Sequence, residues 1–387
     1  MSGPFGSSQW MYASGFYGHE INQSVRFASG DGGFATKTFS SAGNREKWTL
    51  SFWIKRARLS NDIVFYALDG SQNTNIAFNS LEGLYMDVGG VGRVFRTNMT
   101  FNDQSAWYNI VIAHNTTDYS TVSAGQVKVY VNGTEQSFAE TANMSQGGDY
   151  AIGNAVQHTI GRDENADNNY AGFYLAEMHM VNGSQLTASS FGETKAGIWI
   201  PKKYTGSHGT NGFHFTFADT SSNDALFNDD SANSNNFSTT GIVAGHDFMK
   251  DSPTNNFATL KTHGVPTSAT LTQGNLEFTS GTGDSARNLD RQCISTILIP
   301  TSGKWYCEVL PLATTSTFIG ITAHQEGQID HAANNTRYAY FYPTGDGGSN
   351  GQIYIRTGAS ESIQNYGATS GTGDIIGVFV DMDQSTP

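Results

Sequence analysis

The acidic run Asp163-Glu164-Asn165-Ala166-Asp167 is the strongest candidate for hydrolytic chemistry in this sequence. A retaining glycosidase needs two carboxyl groups about 5 Å apart, which positions i and i+2 or i+4 of one strand can supply. The spacing Glu-x-Asp-x-x-Glu that would place them so is absent. Because the run lies in a predicted loop, where rigid placement is harder, we expect no enzymatic activity.

The same loop offers oxygen ligands for a calcium ion. Ca²⁺ takes six to eight oxygens from carboxylates, carbonyls and amides, and Asp163, Asp167, Asn168 and Asn169 carry such groups. Asp69 in a second predicted loop is a further candidate. No motif as strict as an EF-hand is present, so the sequence leaves two interpretations open, a calcium site and a solvated polar turn, and favours the turn.

A zinc site has less support in the sequence than a calcium site. The ten histidines show neither His-x-x-x-His nor Cys/His ligand spacing, and structural zinc sites usually carry such local spacing. We therefore expect no zinc site.

Five aromatic residues are candidates for binding glycans, because sugars stack on exposed rings while Asn and Asp bind their hydroxyls. Trp53 and Tyr130 occupy outward positions of predicted strands, and Tyr119, Tyr150 and Tyr170 lie in predicted loops. For any one of them, packing against a neighbouring strand or subunit is the alternative.

The strand pattern that must position these residues is clear. Trp48, Leu50, Phe52 and Ile54 alternate with polar residues, and 127–131 alternates in the same way before a tight Asn-Gly turn. No stretch has the apolar period of a long helix. The fold class is therefore all-β, with tandem antiparallel sandwiches (jelly rolls). We assign Ala176, Met178 and Met180 to one inner face.

The net charge limits the possible binding partners, and the cysteine content bears on disulfide formation. The net charge of −13 repels phosphate backbones and argues against nucleic-acid binding. Cys293 and Cys307 are the two cysteines, and a predicted hairpin of 292–299 with 304–309 points them to opposite faces, so we expect free, buried thiols. The sequence shows no signal peptide and no apolar run of membrane-spanning length.

Four regions are predicted. Residues 1–20 form a docking segment, with Phe5, Trp10, Tyr12, Phe16 and Tyr17 as the contacts. Residues 21–204 form the first sandwich and 205–257 a connector. Residues 258–387 form a second sandwich, in which the nearly apolar stretch 374–383 predicts a central, doubly covered strand. We expect this second sandwich to be incomplete at its C-terminal end.

These motifs resemble known families. The strand beginning at Trp48, the pair Trp107-Tyr108 and the runs 129–133 and 160–162 resemble a laminin-G-type domain of the concanavalin A-like lectin/glucanase class. The runs 303–308 and 373–378 resemble the first half of a SPRY-like sandwich.

The whole arrangement resembles tail-fibre-like virion proteins of marine bacteriophages. The resemblance rests on the runs 8–12, 16–27 and 41–45 and on the segment 251–257 (Asp-Ser-Pro-Thr-Asn-Asn-Phe). It implies a homo-oligomer, a trimer by analogy with fibres, that is made in a host cytoplasm and carried on the virion. Its partners would be other virion proteins and host surface glycans. A capsid decoration protein without a receptor and a glycan-processing enzyme are the alternatives.

Overall fold

The computed structural model describes residues 15–80, 83–164, 169–262, 270–280, 293–312, 318–322, 338–342, 351–357, 360–367, 371 and 373–384. Nearly all regular structure in these ranges is antiparallel strand, which confirms the all-β prediction. Two compact units divide them: a larger one up to Thr259 together with Thr272–Asn275, and a smaller one comprising the other described residues from Leu260 onward. No helix in these ranges is long and apolar enough to cross a membrane.

The larger unit is built from short strands joined by turns. Its strands are β1 (Ser24–Phe27), β2 (Phe34–Thr38), β3 (Lys47–Arg56), β4 (Asp62–Ala67), β5 (Thr74–Phe78), β6 (Gly83–Val88), β7 (Gly92–Thr100), β8 (Tyr108–Asn115), β9 (Val127–Val131), β10 (Thr134–Glu135), β11 (Phe138–Thr141), β12 (Gln157–Ile160), β13 (Phe173–Asn182), β14 (Gly192–Lys195), β15 (Ile198–Pro201), β16 (Phe213–Phe215), β17 (Ser238–Thr240) and β18 (Phe248–Met249). Short helical turns cover Gly70–Gln72, Val122–Gln126, Ala188–Ser190, Asp224–Phe227 and Gln273–Asn275, and the α-helix α1 covers Ala244–Asp247.

Two eight-stranded sheets form the sandwich of the larger unit. Sheet A has the order β10-β9-β8-β3-β13-β1-β18, with β16 also paired to β13. Sheet B has the order β11-β7-β6-β5-β4-β12-β2-β17. The alternating residues Trp48, Leu50, Phe52 and Ile54 all enter the shared core, as their period of two requires. Asn132 and Gly133 have positive φ angles of 46° and 81°, which confirms the tight turn between β9 and β10.

The outer face of sheet A is covered by later parts of the same unit. Trp53, Trp107 and Tyr174 form one buried apolar cluster there, against which Trp199 of β15 packs. All ten residues of β13 are buried. Polar side chains on this face must therefore find partners inside the protein.

A β-bulge interrupts β13 beside this cover. Ala176 pairs with Trp53 and His179 pairs with Ser51, so Glu177 and Met178 together oppose the single residue Phe52. Glu177 takes a positive φ of 38°. The extra residue changes the alternation: Met178 and Met180 face the core as predicted, but Ala176 packs in the outer cluster. Its assignment to the inner face was wrong because a period-two pattern cannot reveal a bulge.

The segment 205–257, predicted to be a connector, is part of the sandwich. It contributes β16 and β18 to sheet A and β17 to sheet B, and Phe213, Phe215, Phe227 and Phe237 enter the core. Its polar run is a loop as predicted, and the carboxylate of Asp229 orders it by accepting hydrogen bonds from the amides of residues 214, 231 and 235.

The segment 251–257 anchors the cover of sheet A through one carboxylate. Asp251 accepts hydrogen bonds from Lys55 Nζ (2.9 Å) and Trp107 Nε1 (2.9 Å). The Lys55 side chain is completely buried and Asp251 nearly so. Thr254 Oγ1 accepts from the Ile21 amide at 3.1 Å and donates to the Ile21 carbonyl at 2.6 Å. Through Asp251 and Thr254, this segment thus covers one face of the sandwich.

The smaller unit contains short antiparallel pairs and one larger sheet. The strands that follow β18 are β19 (Leu260–Thr262), β20 (Thr270–Thr272), β21 (Glu277–Thr279), β22 (Cys293–Ser295), β23 (Lys304–Val309), β24 (Ile319–Thr322), β25 (Tyr338–Tyr342), β26 (Gln352–Thr357), β27 (Ser360–Asn365) and β28 (Ile376–Asp381). β24 to β27 form a four-stranded meander.

Pairing in the smaller unit corrects two predictions. β22 pairs with β19 and β23 with β28, so the predicted hairpin between 292–299 and 304–309 is not formed. Cys293 and Cys307 are free as expected, but Cys307 is exposed rather than buried. In the described part of the chain β28 pairs with β23 alone, and Phe379 is exposed. Because the sequence predicts that further strands of this sandwich are missing, the central position of β28 stays a prediction.

We predict that Asp251→Ala destabilises the larger unit by about 3–5 kcal/mol, because it leaves the ammonium of Lys55 buried without its counter-ion. Urea unfolding followed by circular dichroism measures the change. Asp118→Ala is the matched control: it removes a 2.8 Å ion pair to Lys47 in which Asp118 is 54% exposed, and we expect little effect. Equal destabilisation by both variants would contradict the anchoring role of Asp251.

We also predict that stability falls as the pH is lowered from about 6.5 to 4. Burial lowers the pKa of His114 to about 3 and that of His158 to about 4. In this range the unfolded chain binds protons that the folded chain does not, so the free energy of unfolding decreases. His114→Phe keeps the stacking on Trp48 (ring centroids 4.7 Å apart) and should reduce the loss between pH 7.5 and 5 by about 2 kcal/mol.

Urea unfolding at the two pH values checks this prediction. The exposed His246 supplies the control His246→Gln, which should leave the pH dependence unchanged. A parallel pH profile for His114→Phe and the parent protein would rule out His114 as a source of the effect.

Candidate functional site

Three of the five predicted glycan-binding aromatics are buried. Trp53 and Tyr130 lie on the outer face of sheet A, as their strand positions predict, but they are 6% and 7% exposed under the cover of that face. Tyr150 packs in the main core, and its hydroxyl accepts a hydrogen bond from the Ser145 amide at 2.9 Å. None of these three rings presents a face to solvent. They cannot stack on a sugar as predicted, because a side chain that points away from the core of its sheet can still be covered by another segment.

Tyr119 and Tyr170 are half-buried. The ring of Tyr119 packs over Gly125, where a Cβ would approach it to 3.2 Å. Tyr170 is stacked with Phe34 at 6.2 Å between ring centroids, and the guanidinium of Arg162 lies 3.7 Å from the Phe34 centroid. Both remain candidates for contact with a ligand.

The candidate calcium ligands that the structure describes do not lie together. Asp69 accepts hydrogen bonds from Arg45 at 2.9 Å and Asn154 at 2.8 Å, so its carboxylate joins two loops of the protein. Among the described residues, no cluster of three ligand-bearing side chains includes Asp69 or Asp163. Asp167 and Asn168 lie outside the described residues, so the choice between a calcium site and a solvated polar turn stays open.

The acidic residue proposed for hydrolysis is held by its neighbours. Glu164 Oε1 accepts hydrogen bonds from Gln157 (3.0 Å), Thr159 (2.9 Å) and Arg162 (3.0 Å). Its predicted partner, Asp167, lies outside the described residues.

Only part of the predicted docking segment can be placed. Phe16 and Tyr17 are half-buried and pack edge to face at 5.2 Å. The ammonium of Lys195, in β14, lies 5.1 Å from the Phe16 ring centroid and donates to the Phe16 carbonyl. This end of the segment thus contacts the larger unit itself. Phe5, Trp10 and Tyr12 lie outside the described residues.

An open polar groove of about 490 Å³ crosses the outer face of sheet B. It lies across β5, β6, β7 and β11 and is lined by Asn73, Asn75, Asp87, Val88, Gly89, Gly90, Gly92, Arg93 and Glu140. Gly90 has a φ of 79°, which L side chains rarely adopt and which keeps the β6–β7 turn tight. The turn is visible in the sequence as the glycine-rich run 89–92, but local sequence does not connect it with the strands beside it.

The charged groups of the groove hold one another in place. Asp87 and Arg93 are directly opposite on β6 and β7, and Arg93 donates to both carboxylate oxygens of Asp87. Arg93 also lies over the ring of Tyr85, 4.0 Å from its centroid. Glu140 accepts from Arg96 at 2.7 Å, which lowers the pKa of Glu140. The groove therefore presents fixed carboxylates and a fixed guanidinium at neutral pH.

These groups keep hydrogen-bonding capacity for a ligand. Arg93 is 30% exposed, Asp87 37% and Glu140 48%. Hydrogen bonds within the described residues occupy two of the five N–H groups of Arg93. A ring of hydroxyl groups, such as a sugar presents, matches this mixture of donors and acceptors.

A second cluster, on the outer face of sheet A, combines one carboxylate with four imidazoles. Nε2 of His19 lies 2.8 Å from both oxygens of Glu177. Nε2 of His214 lies 3.3 Å and Nε2 of His179 lies 3.5 Å from Glu177 Oε1. His179 Nδ1 lies 3.2 Å from His208 Nε2. We call these five residues the histidine cluster.

Strand pairing explains how the cluster is assembled. His179 and His214 are directly opposite on β13 and β16, and their rings stack with centroids 4.0 Å apart. The bulge turns Glu177 toward the same face. Burial alone would raise the pKa of Glu177, but hydrogen bonds from His179, His19 and His214 outweigh it and hold this pKa well below its usual range. Burial lowers the pKa values of His179 and His208 to about 4.

Motif reasoning missed this cluster because its members are far apart in the sequence. The available signal was the pair Glu177 and His179, two residues apart on one strand face with no apolar partner. His19 and His214 join them only through tertiary pairing.

Comparison with known proteins assigns the first sandwich. Residues 28–190 match the laminin G family model described as the concanavalin A-like lectin/glucanases superfamily. This part of the chain is therefore a laminin G-like, lectin-like domain, as its strand motifs predicted. No curated protein matches the sequence.

Several solved structures are similar to this chain. A heptameric SAP-like pentraxin from Limulus polyphemus is 15% identical, over 44% of this chain and 80% of its own, with a TM-score of 0.32. Domains LG4-5 of the mouse laminin alpha1 chain are 8% identical, over 94% and 73%, with a TM-score of 0.37. The binding domain of Paraclostridial Mosquitocidal Protein 1 is 16% identical, over 43% and 41%, with a TM-score of 0.32.

Proposed function

We propose that this protein is a structural component of a bacteriophage virion, a tail-fibre or receptor-binding appendage that adheres noncovalently to glycans on the host surface. The observation that carries the adhesive role is the polar groove on sheet B. Its carboxylates, amides and guanidinium are held in place before a ligand arrives, so little ordering is needed on binding. The lectin-like fold of residues 28–190 is consistent with this use.

The virion role is supported by the segments that resemble phage tail-fibre-like proteins. Two of them, 16–27 and 251–257, meet in the structure: Thr254 bonds to the backbone of Ile21, and Ser24 Oγ donates to the Asp251 carbonyl at 2.6 Å. Two segments that each resemble the same protein class in sequence are therefore in contact in the structure. We extend the proposal to the smaller unit, which we assign as SPRY-like.

Weak binding by each groove is sufficient for such an appendage. Several copies on one particle convert later contacts into intramolecular events, so avidity exceeds the affinity of one site. We therefore propose a homo-oligomer, in which virion proteins and host glycans are the partners and no reaction is catalysed.

We predict that Arg93→Ala weakens glycan binding about tenfold or more, because a hydrogen bond to a charged group contributes about 1.5–3 kcal/mol. A glycan array, read with and without Ca²⁺, identifies the ligand, and titration calorimetry measures the affinity. Lys128→Ala on β9 of the opposite sheet is the matched control and should bind as the parent does. Equal binding by both variants would remove the groove from the proposal.

The virion role has its own test. Immunogold electron microscopy with antibody against residues 21–204 should label the particle tail, and free protein should reduce host attachment. Label over the head without competition would replace this role with capsid decoration. Absence of label would reject the virion assignment. Cleavage of a polysaccharide by the parent but not by Glu164→Gln or Asp167→Asn would replace adhesion with hydrolysis.

A further inference from the structure

The histidine cluster has no part in the proposed adhesion, because it lies on the sheet opposite the groove. We propose that His19, Glu177, His179 and His214 bind one divalent transition-metal ion of the zinc class in a closed, structural site.

The distances from the Glu177 carboxylate to the three imidazoles suit ligands around one ion. With bonds of about 2.0–2.1 Å, the ligand atoms of a tetrahedral zinc site lie about 3.3 Å apart. The Nε2 atoms of His19, His214 and His179 are 2.8, 3.3 and 3.5 Å from Glu177 Oε1. The ligand atoms of Glu177, His179 and His214 all lie within 4.8 Å of one another. His19 lies outside this group of three and contacts it through the Glu177 carboxylate.

The residues around the ligands also match a metal site. A histidine that ligates a metal usually donates its second ring N–H to an outer partner, which fixes the orientation of the ring. His179 has such a partner in His208, 3.2 Å away. The loop that carries His208 packs closely because it contains Gly209 and Gly212, where a Cβ would lie within 2 Å of the carbonyl oxygens of Asn182 and His208 respectively.

The chemistry of the ligand set selects the metal. Imidazole nitrogens suit zinc, copper, nickel and cobalt, whereas calcium and magnesium prefer sets made of oxygen. Three imidazoles and one carboxylate fill a tetrahedral shell, and a filled shell is typical of structural rather than catalytic zinc.

The backbone and the exposure of the cluster support binding from solution. Glu177 occupies the left-handed region at the bulge, a conformation that is retained mainly where the surrounding structure or a function requires it. His19 and His214 are 24% and 18% exposed, which gives an ion a route to the buried Glu177 and His179. On binding, the stacked rings of His179 and His214 must rotate apart, because the lone pairs of parallel rings do not converge on one point.

Such an ion would join three distant parts of the larger unit. His19 precedes β1, Glu177 and His179 lie in β13, and His214 lies in β16. The metal would fasten the segment before β1 to the middle of sheet A, and it should raise the melting temperature by binding the folded state alone.

Metal titration of the full chain after chelator treatment tests the proposal. We expect one equivalent of Zn²⁺ by elemental analysis, and a Co²⁺ complex with the intense visible absorption of tetrahedral coordination. His19→Ala and His214→Ala should lose this stoichiometric binding. His208→Ala should bind about 10–100-fold more weakly, as loss of an outer partner predicts. Excess Ca²⁺ should not displace the bound ion.

His246→Ala is the matched control, since it removes an exposed histidine outside the cluster and should bind as the parent does. Circular dichroism of the metal-free variants shows that they are folded, and His19→Ala, which alters a part-exposed side chain outside any strand, should be the best tolerated. Failure of the folded parent to bind one equivalent, or equal binding by His19→Ala and His246→Ala, would overturn the proposal. Glycan binding measured on the same variants reports the groove separately.

Discussion

The bulge in β13 is the constraint on which the larger unit depends. β3 pairs along one edge of β13, while β1 pairs with residues 173–175 and β16 with residues 178–180 along the other. The bulge lies between the residues of β13 that pair with β1 and those that pair with β16. By inserting one residue, it lets Leu175 and Met178 both face the core although they are three positions apart. A regular strand would turn one of them away.

The same bulge determines what the outer face of sheet A must contain. Glu177 is buried there, and a buried carboxylate needs compensating partners. Elsewhere in the unit, buried carboxylates pair with cationic side chains: Asp251 with Lys55, and Asp247 with Arg26 at 2.9 Å. Glu177 instead receives three imidazoles. Glu177 is therefore the one carboxylate around which the described residues gather a set of metal-ligating side chains.

Sequence patterns predicted the features that depend on neighbouring residues. The alternation around Trp48 and the Asn132-Gly133 turn follow from local strand geometry, and both are confirmed. Exposure could not be predicted in the same way. Trp53 lies on the outer face as its pattern indicates, but Trp199, almost 150 positions later, helps to cover it. Whether an outward side chain is buried depends on a distant segment that packs over it. The sequence of the strand does not show where that segment packs.

The candidate sites were hidden for the same reason. Asp87 and Arg93 flank a recognisable turn, but Glu140 reaches the groove only because β11 pairs with β7. His214 reaches His179 only because β16 pairs with β13. Long-range pairing of this kind depends on tertiary packing and leaves no local spacing to detect.

The two sites lie on opposite outer faces of one sandwich, and this placement has a physical consequence. Packed sheets are about 10 Å apart, and the core between them is made mainly of apolar side chains. Substitutions at sites separated in this way and sharing no partners usually act additively. Substitutions in the buried histidine cluster under the cover of sheet A should therefore leave the exposed groove on sheet B unchanged. The proposed adhesion and the proposed metal binding thus use separate sheets, so that each can be tested without disturbing the other.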